Sequence, residues 1–173
     1  MNTIIEFSNF KLINLELLKA HLRIENDIEN EYLEIVIDMA ANIFELQIGK
    51  SIAKKKYSYV FTTSSKIIME KIYLPVQPVI EICFVKQVKS NTSLYFRQGE
   101  DNEGIYITLY NFKHPIEIQY YAGMVNSYEQ IPKDVQYAVL QIAKNIYDCG
   151  DEDITRLGAA QQVLNSYKSV SIS

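Results

Sequence analysis

The chain has 173 residues, enough for one domain or one domain with a substantial insertion, and such a chain buries about 70% of its unfolded surface. Its 48% apolar and 22% charged residues, with only 6 Gly and 4 Pro, exclude wholesale disorder. A formal net charge of -4 argues against a protein whose main task is binding nucleic acid, because phosphate affinity comes mostly from Lys and Arg.

Redox and targeting features are sparse. Cys83 and Cys149 do not form a C-x-x-C pair, so neither a disulfide framework nor a zinc site is indicated. Residues 1–10 lack the basic start and apolar run of a signal peptide, and no stretch approaches the roughly 18 apolar residues of a membrane span. The sequence therefore predicts synthesis inside the cell, in a reducing compartment, with no membrane partner.

Residues 1–50 predict a pair of helices. Asn14 is placed to cap a short amphipathic helix that ends at Leu22 and carries a leucine stripe including Leu18. Asp27 is predicted to cap a longer helix that stops at Gly49. The apolar residues that follow the helical period in this second helix are Ile28, Tyr32, Ile35, Met39, Ile43 and Phe44.

Residues 54–123 form a β-rich middle section of about five expected strands, because β-branched and aromatic residues alternate with turn residues. Pro75 and Pro78 bracket a bend, since proline cannot donate to a strand ladder. Cys83 falls within an apolar strand and is predicted to be a buried thiol. The expected strands are Tyr57–Phe61, Ile67–Leu74, Val79–Val88, Gly104–Leu109 and Ile116–Tyr121.

Residues 131–167 predict further helices. Pro132 suits the first turn of a helix and Asp134 suits the positive end of its dipole. The apolar stripe of this helix consists of Val135, Val139, Ile142 and Ile146. A second, short helix is expected over Leu157–Tyr167. The predicted fold class is α+β, in a single domain over 1–173: the N-terminal helix pair and the C-terminal helices form a small helical bundle, with the β-rich section as an insertion.

Motifs of catalysis and cofactor binding are missing from the sequence. No G-x-S-x-G elbow, P-loop or dinucleotide-binding G-x-G-x-x-G occurs. His21 and His114 stand outside any metal-ligand spacing, so we expect no catalytic residue, no metal site and no cofactor. The acidic clusters at 25–31 and 148–153 are predicted to be solvated, with a weak divalent-ion site at the second as the alternative.

Lys54, Lys55 and Lys56 form the only concentrated positive run in the sequence. One interpretation is an exposed connector, or a charged strand edge that discourages aggregation. The other is a contact with nucleic acid or with a protein partner.

Three segments, in a fixed order, carry a resemblance to a known family. The first is L-K-A-H-L-R-I at 18–24, with the helix that follows it as far as I-G-K at 48–50. The second is L-P-V-Q-P-V at 74–79, which leads into a strand. The third is I-Q-Y-Y-A-G at 118–123, with I-P-K-D-V at 131–135 and the helix after it. Together they resemble the head-tail connector proteins of tailed phages, similar to the small adaptor beneath the portal of lambdoid-type phages.

The resemblance implies a virion structural protein and not an enzyme. It implies a homo-oligomeric ring that lies under the portal and extends the DNA channel to the tail. The implied partners are further copies of the chain, the portal protein, head-completion or tail proteins, and the double-stranded DNA that passes through the channel. The implied location is the virion, and the bacterial host cytoplasm during assembly.

A ring interface is expected on the apolar stripes of the helices, unless those stripes form the subunit's own core. The candidate interface residues are Leu18, Tyr32, Met39, Val135, Val139, Ile142 and Ile146. Two other functions stay open at this point. One is a small nucleic-acid-binding DNA-packaging factor that uses the Lys54–Lys56 run, and the other is a hydrolase with a site at one of the histidines.

Overall fold

The computed structural model describes residues 2–62, 69–110, 112, 115–149 and 160–168. The fold is α+β, as predicted, and divides into two compact units. The strand unit comprises residues 1–8 and 54–124, and the helical unit comprises residues 9–53 and 125–173.

The strand unit contains two antiparallel sheets. Its strands are β1 (Asn2–Glu6), β2 (Lys55–Phe61), β3 (Met69–Tyr73), β4 (Val79–Gln87), β5 (Phe96–Asp101), β6 (Gly104–Tyr110) and β7 (Ile116–Ala122). One sheet has the order β1-β2-β7-β4 and the other has the order β3-β6-β5. Five of these strands, β2, β3, β4, β6 and β7, fall on the five expected ones, although the predicted start of the second, at residues 67–68, lies outside the described residues. Strands β1 and β5 were not expected from the sequence, because both are mostly exposed and so lack the alternation that marks a half-buried strand.

The core of the strand unit lies between the inner faces of its two sheets. Every second residue of β7 is buried, from Ile116 to Ala122, and these residues pack with Ile72 of β3 and Ile107 of β6. Tyr120 is fully buried, stacks on Tyr57 at 5.7 Å between ring centroids, and accepts a hydrogen bond from the backbone N–H of Val76. Burial raises the pKa of the Tyr120 phenol far above its usual value, so this hydroxyl stays neutral.

Strand β4 corrects the expectation for Cys83, whose thiol is exposed and not buried. The pairing of β4 with β7 shifts register between Ile82 and Phe84. A bulge at this point places an extra residue in one strand and breaks the strict alternation of faces. The apolar neighbours of Cys83 in the sequence therefore do not determine which way its side chain faces.

The helical unit consists of α1 (Leu15–Leu22), α2 (Asn30–Ile48), a short 3₁₀ turn (Tyr128–Gln130), α3 (Lys133–Cys149) and α4 (Ala160–Tyr167). The predicted start of the last helix, at Leu157, lies outside the described residues. Two segments of the chain run parallel to each other in this unit, at residues 52–53 and at Val125. The N–H of Val125 donates to the carbonyl of Ile52 at 2.9 Å.

Local capping explains where α1 and α2 begin and end. The side chain of Asn14 accepts a hydrogen bond from the N–H of Leu17 at 2.8 Å, as a helix N-cap does. Gly49 ends α2 in the left-handed conformation at φ 68°, and its N–H donates to the carbonyl of Glu45. Both features agree with the sequence prediction.

Asp27 does not cap α2, which begins three residues later at Asn30. Its carboxylate instead accepts a hydrogen bond from the Nζ of Lys19 at 2.6 Å and another from the side chain of Asn30. The Lys19 ammonium is the main cause that lowers the pKa of the Asp27 carboxyl. The main partner of Asp27 is thus the buried Lys19 on α1. The sequence pattern of α2 alone cannot reveal this contact, because the partner belongs to another helix.

One apolar core joins the helices of this unit. Helix α2 contributes its face between Leu33 and Ile48, and helix α3 contributes its face between Val135 and Ile146. Leu18 of α1 and Leu164 of α4 close the core at its sides. Burying a large aliphatic side chain stabilises a fold by about 1.5–3 kcal/mol, so this core is the main source of stability in the unit.

We expect Asn14→Ala to lower the free energy of unfolding by about 1 kcal/mol, because the N–H of Leu17 loses its cap acceptor. Urea denaturation followed by far-ultraviolet circular dichroism measures the change. Asn14→Ser, which keeps an acceptor oxygen at the same position, is the matched control and should lose much less. Equal losses for the two variants would contradict the capping role.

Candidate assembly surfaces

The candidate interface residues of α1 and α3 lie in the core of the chain itself. Leu18, Val135, Val139 and Ile142 are fully buried and Ile146 is 4% exposed. A side chain without exposed surface has no area to offer a neighbouring subunit unless the core opens. For these five residues the structure therefore supports the alternative, a stripe that holds the subunit together.

Tyr32 and Met39, the two candidates on α2, are exposed and belong to a longer surface. Apolar side chains recur along this side of α2 at steps of four and three residues, a spacing of 3.5 that is typical of a coiled-coil seam. We name this surface the α2 ridge: Tyr32 (46% exposed), Ile35 (56%), Met39 (37%), the polar Asn42, and Leu46 (81%). Ile28, which is 88% exposed, lies in the turn before the helix.

The α2 ridge lies about 140° around the helix from the buried face of α2, at 100° per residue. It therefore differs from the stripe that packs in the core, which includes Val36, Ile37 and Ala40. Tyr32 has one contact of its own, with the ring of Tyr147 at 6.2 Å between centroids. Sequence reasoning missed Asn42 and Leu46, although a continued 3.5 spacing beyond Met39 would have found both.

A groove of about 540 Å³ lies between α1 and α3 in the same unit. We name it the α1–α3 groove, and its lining consists of Asn14, Glu16, Leu17, Ala20, Tyr128, Lys133, Gln136, Tyr137 and Leu140. Tyr137 is 46% exposed, whereas Gln136 is 4% exposed. The amide nitrogen of Gln136 is buried and has no hydrogen-bond partner in the described part of the chain.

The three lysines of the positive run do not form one surface. Lys55 is only 9% exposed, while Lys54 and Lys56 place their ammonium groups 4.5 and 5.5 Å from the ring centre of Tyr121. The Tyr121 hydroxyl donates to the carboxylate of Glu6 at 3.2 Å. Two of the lysines thus have an aromatic partner with an acid beside it. That Lys54–Lys56 contact nucleic acid or a partner stays a prediction, and nothing in this geometry favours it.

Glu117 is the centre of a polar cluster on the outer face of the four-stranded sheet. Its carboxylate accepts hydrogen bonds from Ser58 and Gln119, each at 2.9 Å, and pairs with the Nζ of Lys86 at 3.2 Å. Gln119 is the largest of the causes that lower the pKa of the Glu117 carboxyl, and Ser58 and Lys86 add to it. Three strands, β2, β7 and β4, are linked by this one carboxylate.

The histidines and the second acidic cluster, which were the remaining candidates for catalysis or metal binding, do not form a common site in the described part of the chain. The Nε2 of His21 lies 3.4 Å from the side-chain nitrogen of Gln141, and His114 lies outside the described residues. Asp148 pairs with Lys144, and residues 151–153 of the second acidic cluster are also outside the described part. Within the described ranges, no three His, Cys, Asp or Glu side chains are grouped so as to hold a metal ion. No described helix is long and apolar enough to cross a membrane.

Sequence comparison gives a family. The profile of the phage gp6-like head-tail connector proteins matches residues 12–100, just over half of the chain. No curated protein matches the sequence.

Comparison of structures finds the same fold over the whole chain. A chain in the neck of an empty gene transfer agent particle, computed with C6 symmetry, superposes with a TM-score of 0.76. Chains in the virion of the native particle and in its neck computed with C12 symmetry give TM-scores of 0.73 and 0.70. Each is 17% identical, and each match covers 100% of this chain and 97% of the other.

The profile match over just over half of the chain defines a class of protein, the connectors between phage heads and tails. The chain belongs to the phage gp6-like head-tail connector family, as the sequence resemblance predicted. It is a structural connector of the virion, and membership in this family implies a structural rather than an enzymatic role.

Ile142→Ala should lower the free energy of unfolding by about 2–5 kcal/mol, because it leaves a cavity in the core of the helical unit. The matched control is Ile35→Ala on the α2 ridge, where the same truncation of an exposed side chain should change stability by less than about 0.5 kcal/mol. Urea denaturation of dilute protein measures both. An Ile142→Ala variant as stable as the wild type would contradict a core role for the apolar stripe of α3. That stripe would then again be a candidate interface between subunits.

Glu117→Gln should destabilise the protein most near neutral pH. A carboxyl whose pKa is lowered by folding adds stability above its unfolded pKa, and that stability is lost as the pH falls through its folded pKa. The difference from the wild type should therefore shrink as the pH falls below about 4. Denaturation curves at several pH values measure it, and an unchanged difference at acid pH would contradict the account. Lys86→Gln should give a smaller version of the same profile, because Ser58 and Gln119 remain.

Proposed function

We propose that the chain assembles as a ring in the neck of a phage-like particle, beneath the portal, and that its central channel carries DNA toward the tail. The observation that carries this proposal is the agreement of fold over 100% of the chain with proteins of a particle neck. Those necks were computed with C6 and C12 symmetry, and we infer cyclic assembly for this chain by likeness to them.

The proposed partners are further copies of the chain, the portal protein, head-completion or tail proteins, and the double-stranded DNA in the channel. Assembly would take place in the bacterial host cytoplasm, and the finished location is the virion. No membrane is involved in this proposal.

The charge of the chain supports a channel that DNA passes through rather than a site that retains it. The formal net charge is -4, and strong binding to DNA requires many Lys or Arg contacts to phosphates. The one concentrated lysine run supports retention poorly, since Lys55 is buried and Lys54 and Lys56 lie against Tyr121. DNA that passes through a channel is retained less when few Lys or Arg side chains contact its phosphates.

The purified full chain should form closed rings with rotational symmetry, alone at high concentration or on the portal protein of the same phage. Sedimentation velocity over a range of concentrations and negative-stain electron microscopy measure this. The portal without the chain is the control. A chain that stays monomeric at every concentration and does not bind the portal would overturn the proposal.

A further inference from the structure

The helical unit carries two apolar surfaces of opposite shape. One is the α2 ridge, which runs for about 21 Å from Tyr32 to Leu46 at 1.5 Å per residue. The other is the α1–α3 groove, with Leu17, Ala20 and Leu140 in its lining. Helix α2 faces the core through Leu33 to Ile48, so the ridge lies on its other side. Only Tyr32 of the ridge contacts α3, at Tyr147 near the end of that helix, whereas the groove lies at the start of α3. Ridge and groove are therefore on different faces of the unit.

Cyclic symmetry requires two such different surfaces. In a ring of more than two subunits every contact is heterologous, so one face of each subunit meets another face of the next. A ridge that met only its own copy would form a two-fold dimer and close the assembly at two. A helix that lays its apolar side chains into a groove is a common mode of recognition, read as anchors at steps of three and four residues.

We propose that the α2 ridge of one subunit lies in the α1–α3 groove of the next copy of this chain, and that this contact builds the ring. The inference rests on the proposed ring function and names its interface. The groove should accept the central ridge residues, Tyr32, Ile35 and Met39, against the accessible groove residues Leu17, Ala20 and Tyr137.

Charged residues beside the ridge and in the groove favour one orientation of the ridge within the groove. Glu31 and Asp38 flank the same side of the ridge, and both are exposed, with Asp38 already paired to Lys11. The charged groups in the groove lining are Lys133 and Glu16, one at the start of α3 and the other on α1. The acidic flank should therefore lie on the Lys133 side, away from Glu16.

Disulfide trapping between copies tests the contact directly. In a background of Cys83→Ser and Cys149→Ser, Tyr137→Cys is combined in turn with Tyr32→Cys, Ile35→Cys and Met39→Cys. Oxidation of assembled protein should give a ladder of linked chains for at least one combination, because each subunit then carries both halves of the link. Tyr95→Cys with Tyr137→Cys is the control, since Tyr95 is 80% exposed in the strand unit, and it should give no ladder.

Charge reversal supplies a second readout. Glu31→Lys and Lys133→Glu should each raise the concentration needed for ring formation roughly tenfold, by placing like charges together. The double variant should recover most of the loss. Circular dichroism checks that each variant is folded, and Glu100→Lys, an exposed change in the strand unit, should leave assembly unchanged.

The outcomes distinguish a failure of this interface from a failure of the proposed ring function. Wild-type rings with no ladder in any ridge combination, or ring assembly indifferent to both charge reversals, would overturn the interface and leave the ring function standing. Ile35→Cys alone giving linked dimers would show a ridge that meets its own copy, and would overturn the heterologous contact. Failure of the wild type to form rings, alone or on the portal, would overturn the proposed function itself.

Discussion

The helical unit depends on the packing of α2 against α3. Both helices present a continuous apolar face to this contact, and α1 and α4 complete the same core. Once α3 occupies one face of α2, the opposite side of α2 stays exposed, with Ile35 and Leu46 among its side chains. Internal packing thus determines which apolar residues are left for a neighbour. In the proposed ring, stability and assembly use two sides of the same helix.

The sequence predicted the elements well and their faces less well. Helix α3 was predictable because its apolar residues, Val135 to Ile146, form one stripe and leave a single choice of buried side. Helix α2 carries two apolar sets with similar spacing, and periodicity cannot say which one packs. The expected stripe contained Phe44, which is buried, together with Tyr32 and Met39, which are exposed. Only the position of α3 decides between them.

Other differences have the same origin in distant contacts. Strand β1 is exposed on most of its length and is held by pairing with β2, which lies some fifty residues later in the chain. Asp27 is tied to Lys19 across the turn between two helices. The groove was not predictable at all, because α1 and α3 are more than a hundred residues apart in sequence. At 17% identity to the matched neck proteins, the fold is shared although most side chains differ.

The parallel bridge between Ala53 and Val125 joins the two ends of the segment that forms most of the strand unit. The strand segment 54–124 leaves and re-enters the helical unit at two points joined by a backbone hydrogen bond. A segment whose ends are adjacent can be lengthened, shortened or exchanged without moving the rest of the chain. Residues 1–8 would have to change with it, because β1 pairs with β2. Adjacent ends of this kind are typical of segments that tolerate insertion and replacement, so changes in the length of the strand unit need not disturb the core of the helical unit.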